Sequence, residues 1–297
     1  MVCLATVSSQ RFLPGTLVMI HSFLKWNPAF DGEIVILHED LPEAARGALS
    51  GIGCRISFRK TSPELAARIA DLVASRPLLA ERRARFLSLD AFGLSGHDRI
   101  LLCDSDILFV GAVDEMLARP EPLLCAADGA LHRGNGRDPD TFAEAPALSP
   151  ETPARTLYRP FNAGLLLFHG ALACEGIHGA LLDHLRPERW RDVVTPHTDQ
   201  VVLNRHFAGI QTLLPASYNY LLAFRSEIFA ATGIRLTDAR VLHFNGSPKP
   251  WETDALATSP PADPGFLQAC RRWYETWTDA LVTLQARRVR GGIPACR

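Results

Sequence analysis

Arg99-Ile100-Leu101-Leu102-Cys103-Asp104-Ser105-Asp106-Ile107-Leu108-Phe109-Val110 is an apolar run that breaks into Asp-Ser-Asp and then resumes. Its first half shows no polar alternation, as in a strand buried on both faces. Such strands belong to parallel sheets covered by helices, where ligands bind outside the carboxyl ends of the strands. Extended geometry would send Asp104 and Asp106 to one side, close together. Two carboxylates converging there repel each other and lose hydration, and a divalent cation would relieve both costs. Oxygen ligands of this kind suit Mg²⁺ or Mn²⁺. A polar turn closing a strand is the bland alternative, and the tripeptide alone does not decide between them.

The flanking sequence supports the α/β reading. Val2–Val7 and Glu33–His38 are strand-like, and residues 54–59 are extended again. Between them, residues 14–26, 41–49, 62–74 and 79–92 have helical spacing, the first behind a proline suited to an opening turn. Beyond the apolar run, residues 128–159 are rich in Gly, Pro, Asp, Ala and Thr and lack periodicity. A loop this long in a compact domain is usually functional. A strand follows at 161–168, helices at 171–185 and 198–207, and strands at 210–214 and 241–244. The last helix, 264–288, repeats Phe266, Cys270, Trp273, Trp277, Leu281 and Leu284 every three or four residues.

With 297 residues, 47% of them hydrophobic, the chain can bury a large core. Its 31 basic and 32 acidic residues leave a net charge of −1 and no basic stripe, so no nucleic-acid partner is expected. Seven cysteines, Cys3, Cys54, Cys103, Cys125, Cys174, Cys270 and Cys296, form no C-x-x-C and read as reduced, buried thiols. The chain opens on a strand rather than a basic, then apolar, leader, and no stretch approaches a membrane span. A cytoplasmic location is the expectation. The C-terminal helix, with Arg271, Arg272, Arg287, Arg288 and Arg290, is read first as packed on the body. Peripheral membrane contact through its basic face is the second reading.

Two further segments carry candidate chemistry. Phe161-Asn162-Ala163-Gly164 opens a strand with an amide and two small residues, which would let a flat ligand approach the backbone. Thr198 is a candidate N-cap before Asp199 and Gln200, which would lie in a first helical turn. In His243-Phe244-Asn245-Gly246-Ser247-Pro248-Lys249-Pro250-Trp251, a strand delivers His243 and two prolines frame Lys249. His243 can give a nitrogen ligand to the cation of the aspartates, and Lys249 a point charge to phosphate. Motifs for P-loop, nicotinamide, serine-hydrolase and zinc-protease chemistry are absent from the sequence.

In order, these segments resemble glycosyltransferase family 8, across residues 2 to 251. The resemblance rests on Leu4-Ala5-Thr6, Arg85, Asp104-Ser105-Asp106, Phe161-Asn162-Ala163-Gly164, Asp199-Gln200 with Leu203-Asn204, and the block from His243 to Trp251. It implies a GT-A fold, a Rossmann-like, mostly parallel sheet flanked by helices. The domain would span 1–262, with an amphipathic helix and tail over 263–297. By the same resemblance Asp104, Asp106 and His243 would hold Mn²⁺, with Mg²⁺ as the alternative. Thr6, Val7, Ser8 and Phe12 would line the nucleotide, Ser105 would lie in the donor site, and Gly246 and Lys249 would hold the diphosphate. Arg85, Asn162, Ala163, Asp199 and Gln200 would surround the sugar, with Asn162, Asp199 and Gln200 supporting catalysis. The implied activity is retaining transfer of glucose or galactose from a UDP-sugar to a saccharide or glycoconjugate. The chain departs from the family pattern at Val7-Ser8-Ser9-Gln10, which lacks an acidic residue, and at Tyr158-Arg159-Pro160. A non-catalytic nucleotide-sugar sensor or scaffold is the alternative function, and a nucleotidyltransferase is disfavoured by the missing Gly-rich phosphate loop.

Overall fold

The computed structural model describes residues 1–53, 55–146, 158–258 and 263–289, the side chain of Arg288 excepted. Strands and helices alternate from the start: β1 (Val2–Val7), α1 (Leu13–Trp26), β2 (Glu33–His38), α2 (Glu43–Ser50), β3 (Ile56–Lys60) and α3 (Pro63–Ser75). Ser62 caps α3, its hydroxyl accepting from the Leu65 amide, and Pro63 opens the first turn. Residues Pro77–Gly93, expected in part as a helix, form a run of tight 3-10 turns. Phe86, Leu87, Ser88 and Leu89 are all buried in succession, which no single face of an α-helix permits.

After β4 (Arg99–Cys103) come β5 (Ile107–Phe109), α4 (Asp114–Leu117), β6 (Leu123–Ala127), α5 (Gly129–His132), β7 (Asn135–Arg137) and β8 (Glu144–Pro146). The stretch expected as an unstructured loop thus contains a helical turn and the antiparallel pair β7–β8. Its residues 147–157 lie outside the described residues. The chain continues with β9 (Phe161–His169), α6 (Glu175–Asp183), α7 (Asp199–His206), β10 (Thr212–Leu214), β11 (Tyr220–Leu221) and α8 (Arg225–Thr232). It ends on β12 (Val241–His243), α9 (Thr253–Thr258) and α10 (Pro264–Val289).

Seven strands form the main sheet in the order β10-β6-β9-β4-β1-β2-β3. Neighbours run parallel except at β9, which is antiparallel to both β4 and β6. Residues of β4 and β9 alternate between two apolar layers: Ile100, Leu102, Leu166 and Phe168 face one, Leu101, Cys103, Leu165 and Leu167 the other. This is why the Arg99–Cys103 run is apolar throughout. Cys3, Cys103, Cys125 and Cys270 are buried free thiols and Cys174 is exposed, while Cys54 and Cys296 lie outside the described residues.

Helix α10 lies on the body. Ala280 and Leu284 join the layer holding Ile20 and Phe23 of α1, and Trp273 stacks with Trp277 at 5.7 Å. Asp279 takes Lys25 of α1 at 2.7 Å, and Arg287 donates to the Gly51 carbonyl. Leu281, expected on the apolar stripe, is exposed, because the buried line drifts to Ala280 and Leu284. Arg290 and the tail to residue 297 lie outside the described residues, as do 259–262 at the expected domain boundary. No helix among the described residues is long and apolar enough to cross a membrane.

Candidate active site

Three strand ends meet at the carboxyl edge of the sheet. Thr6 of β1 pairs with Cys103, the last residue of β4, so Asp104 leaves the sheet beside the end of β1. Asp104 to Asp106 form a turn into β5 rather than a continued strand. The turn, not strand alternation, brings the two carboxylates together. β9 enters here because it runs backwards: the Asp104 amide donates to the Gly164 carbonyl at 2.8 Å. In the small sheet β11-β12-β5, His243 pairs with Ile107, next to Asp106.

Oxygens of Asp104 and Asp106 and a ring nitrogen of His243 lie within 4.8 Å of one another. His243 Nε2 is 3.2 Å from Asp106 Oδ1 and 3.7 Å from Asp104 Oδ2. Even so, Asp106 Oδ1 is buried without a hydrogen-bond partner. A buried carboxylate oxygen in that state is costly, and a divalent cation held by two carboxylates and an imidazole fits it. Asp106 Oδ2 instead receives Lys249 Nζ at 2.5 Å, and Nζ also donates to the Phe244 carbonyl. Burial opposes ionisation of Asp106, yet Lys249 and His243 hold it well below the ordinary carboxylate range. Burial in the cleft wall and then the Asp106 charge push Asp104 up to about 6. Half its side chain still meets solvent.

The F-N-A-G segment packs against this group. A Cβ on Gly164 would come within 2.3 Å of the His243 ring. The glycine therefore makes room for His243, where sequence reasoning reserved the space for a flat ligand. Asn162 donates to Gln200 Oε1 at 3.2 Å, and Gln200 donates to Asp128 at 2.9 Å. Ala163 and Gln200 are buried. Asp199 opens α7 and accepts from Ser88 at 2.9 Å; burial raises its carboxyl, against Ser88 and Arg85. Thr198, expected to cap α7, makes no capping bond and donates to Asp199 instead. Its hydroxyl is directed to that carboxylate. Arg85 is exposed, and its charge acts on both Asp104 and Asp199.

Of the residues expected at the donor, Thr6, Ser8 and Ser105 are buried, and their hydroxyls join Thr16 in one network. Ser105 Oγ also donates to the Val7 carbonyl at 2.5 Å. These side chains brace the Asp-Ser-Asp turn against β1 rather than reaching outward; Val7 is half-buried. Phe12 meets Trp251 edge to face at 5.5 Å. Gly246 has φ +96°, a conformation that favours glycine. Glu252 accepts from the Lys249 amide and from Arg11, holding the segment after the prolines.

Several residues in this cluster were not singled out by sequence. Asn219 joins His243 to Asn162. Asp128 joins Gln200 to Arg137, whose guanidinium lies over Phe142 and beside His197. Each sits in a turn-rich stretch where Asn and Asp are ordinary, so periodicity offers no signal.

A mostly parallel sheet with an Asp-x-Asp turn and a histidine at its carboxyl edge defines a glycosyltransferase of GT-A architecture. The chain belongs to glycosyl transferase family 8, whose model matches residues 3–255. Among solved structures, the galactosyltransferase LgtC, crystallised with donor and acceptor sugar analogs, is similar at TM-score 0.69 and 18% identity, over 93% of this chain and 95% of that one. The glycosyltransferase GlyE of Streptococcus pneumoniae TIGR4 is similar at TM-score 0.61 and 18% identity, over 96% of this chain and 63% of that one. Mouse xyloside xylosyltransferase 1 follows at TM-score 0.50 and 14% identity, over 83% and 99%. No curated protein matches the chain by sequence.

Proposed function

We propose that the chain is a retaining hexosyltransferase that moves glucose or galactose from a UDP-sugar to a saccharide or glycoconjugate, with Mn²⁺ held by Asp104, Asp106 and His243. The carrying observation is the partnerless buried Asp106 Oδ1 facing His243 Nε2, beside Lys249. A bound Mn²⁺ would supply charge stabilisation to the leaving diphosphate. Lys249 reinforces that charge from a fixed position, and Gly246 lets the backbone turn close to the phosphates. Val7 and Phe12 line the nucleotide, while Thr6, Ser8 and Ser105 hold the strand end and turn that shape its floor. Arg85, Asn162, Ala163, Asp199 and Gln200 surround the sugar; Asn162, Asp199 and Gln200 orient it and support positive charge at the reacting carbon. The sequence names no carboxylate pair as acid and nucleophile in the glycosidase manner, so front-face attack, with the leaving phosphate oxygen taking the acceptor's proton, is the favoured route. The transferase unit is assigned to 1–262, with α10 and the tail as a C-terminal appendage.

The test is UDP release from a panel of UDP-sugars with Mn²⁺, with and without EDTA. Slow donor hydrolysis with one sugar, lost in EDTA, in Asp104→Asn and in His243→Ala, is the expected result. Failure of any UDP-sugar to bind or react in a metal-dependent way would remove this reading and favour a non-catalytic sensor.

A further inference from the structure

Two backbone amides, those of Ala163 and Gly164, set the direction of the side-chain amides of Asn162, Asn219 and Gln200. Gly164 N–H donates at 2.9 Å to one end of the Asn162 amide, so that end is Oδ1. The same oxygen lies 2.9 Å from the Asn219 amide, which must present Nδ2 to it. The other end of Asn219 is then Oδ1, and it lies 3.0 Å from His243 Nδ1. An acceptor at that position requires Nδ1 to carry the proton. In the neutral ring Nε2 then keeps its lone pair, aimed at the two aspartates.

In the other direction, Ala163 N–H and Asn162 Nδ2 both donate to Gln200 Oε1. Gln200 Nε2 therefore faces Asp128 Oδ2, which Arg137 also contacts. The bonds run in one sense from His243 through Asn219, Asn162 and Gln200 to a carboxylate. Asn219 is fully buried and Asp128 nearly so. In such surroundings each bond polarises the next, and the anion at the end strengthens donation from His243.

We propose that Asn219 is a positioning residue. It holds His243 as the Nδ1–H tautomer and ties the cation-binding histidine to Asn162 on the sugar side, through a relay of amides anchored on Asp128. The consequence for the cation rests on the metal reading given above; the tautomer does not. Histidine ligands to metals are oriented in this way by the partner of their second nitrogen.

The test begins with the full chain, labelled with ¹⁵N-histidine and free of metal, at pH 8. Long-range ¹H–¹⁵N spectra read the tautomer, and the His243 signal is identified by its loss in His243→Gln. A proton on Nδ1 is expected; a ring protonated on Nε2 and not on Nδ1 in the wild-type chain overturns the proposal without recourse to any variant. Asn219→Leu, which removes both ends of the link, is expected to shift the proton toward Nε2. Mn²⁺ binding, followed by electron paramagnetic resonance of the free ion, should weaken about 10- to 100-fold. Asn219→Asp keeps an acceptor at Nδ1 and should keep the tautomer. A folded Asn219→Leu with unchanged tautomer and unchanged Mn²⁺ affinity sinks the idea. Wild-type protein that binds no Mn²⁺ counts against the metal reading alone, and the tautomer then still decides the role of Asn219.

Discussion

Asp104 and Asp106 are two residues apart, and their carboxyls are shifted in opposite directions. Lys249 and His243 keep Asp106 ionised, whereas burial and the Asp106 charge push Asp104 up to about 6. A proton on Asp104 competes with a cation, so cation affinity should be full above that value and fall as pH drops through it. Mn²⁺ titrations by calorimetry between pH 5 and 8 check this, and a flat profile would contradict it. Gly164 gives a second prediction at this scale. A methyl group there meets the His243 ring, so Gly164→Ala must displace the histidine. A loss of about 1–3 kcal/mol in stability is expected from overpacking. Weaker Mn²⁺ binding should accompany it, read by denaturant melts and metal titration on the same preparation.

At the scale of elements, α10 is attached through its aromatic residues. Trp273 is buried between Trp251, 5.7 Å away, and Trp277. Trp251 in turn meets Phe12, so the C-terminal helix supports the segment that carries Lys249. Trp273→Ala should cost about 3–5 kcal/mol, because it empties a filled aromatic site. Leu281→Ala, on the exposed side of the same helix, should stay within about 0.5 kcal/mol of wild type. Urea unfolding of the pair separates docking from helix propensity, and equal losses would show that the helix is not packed as described. The basic residues divide as well: Arg287 bonds to the body, and Arg271 pairs with Glu275 on the exposed face.

For the whole molecule, two half-buried histidines contribute to acid sensitivity. Burial and then Arg189 push His184 down to about 4, and burial and then Arg137 do the same to His197. The unfolded chain binds protons on these residues near the ordinary value of about 6.5, while the folded chain resists until about 4. Unfolding therefore takes up protons across that window, and stability falls as pH drops from 6.5 toward 4. The melting temperature should decline over that range, and the decline should shrink in His184→Gln. An unchanged profile in that variant would remove His184 from the account.

β1, β2 and β4 were legible to the residue, since an unbroken apolar run between turn signals has few other solutions. Asp104, Asp106 and His243 were legible as chemistry, because metal-binding residue types recur there in a rare order. Asn219 and Asp128 were not: a single buried amide or carboxylate in a turn-rich stretch looks like any turn residue. Residues Pro77–Gly93 misled for a related reason, since burial on every side imitates a helical pattern of apolar residues without an α-helix. By itself the sequence determined the alternation of strands and helices, the strand that ends in two aspartates and the family. Only the tertiary structure decided that β9 runs against its neighbours and so brings Asn162 and Gly164 to the carboxyl edge. It alone decided that Gly164 makes room for His243, and that Lys249 sits on Asp106. Strand direction and side-chain pairing depend on contacts between residues far apart in the chain, and local pattern carries no record of them.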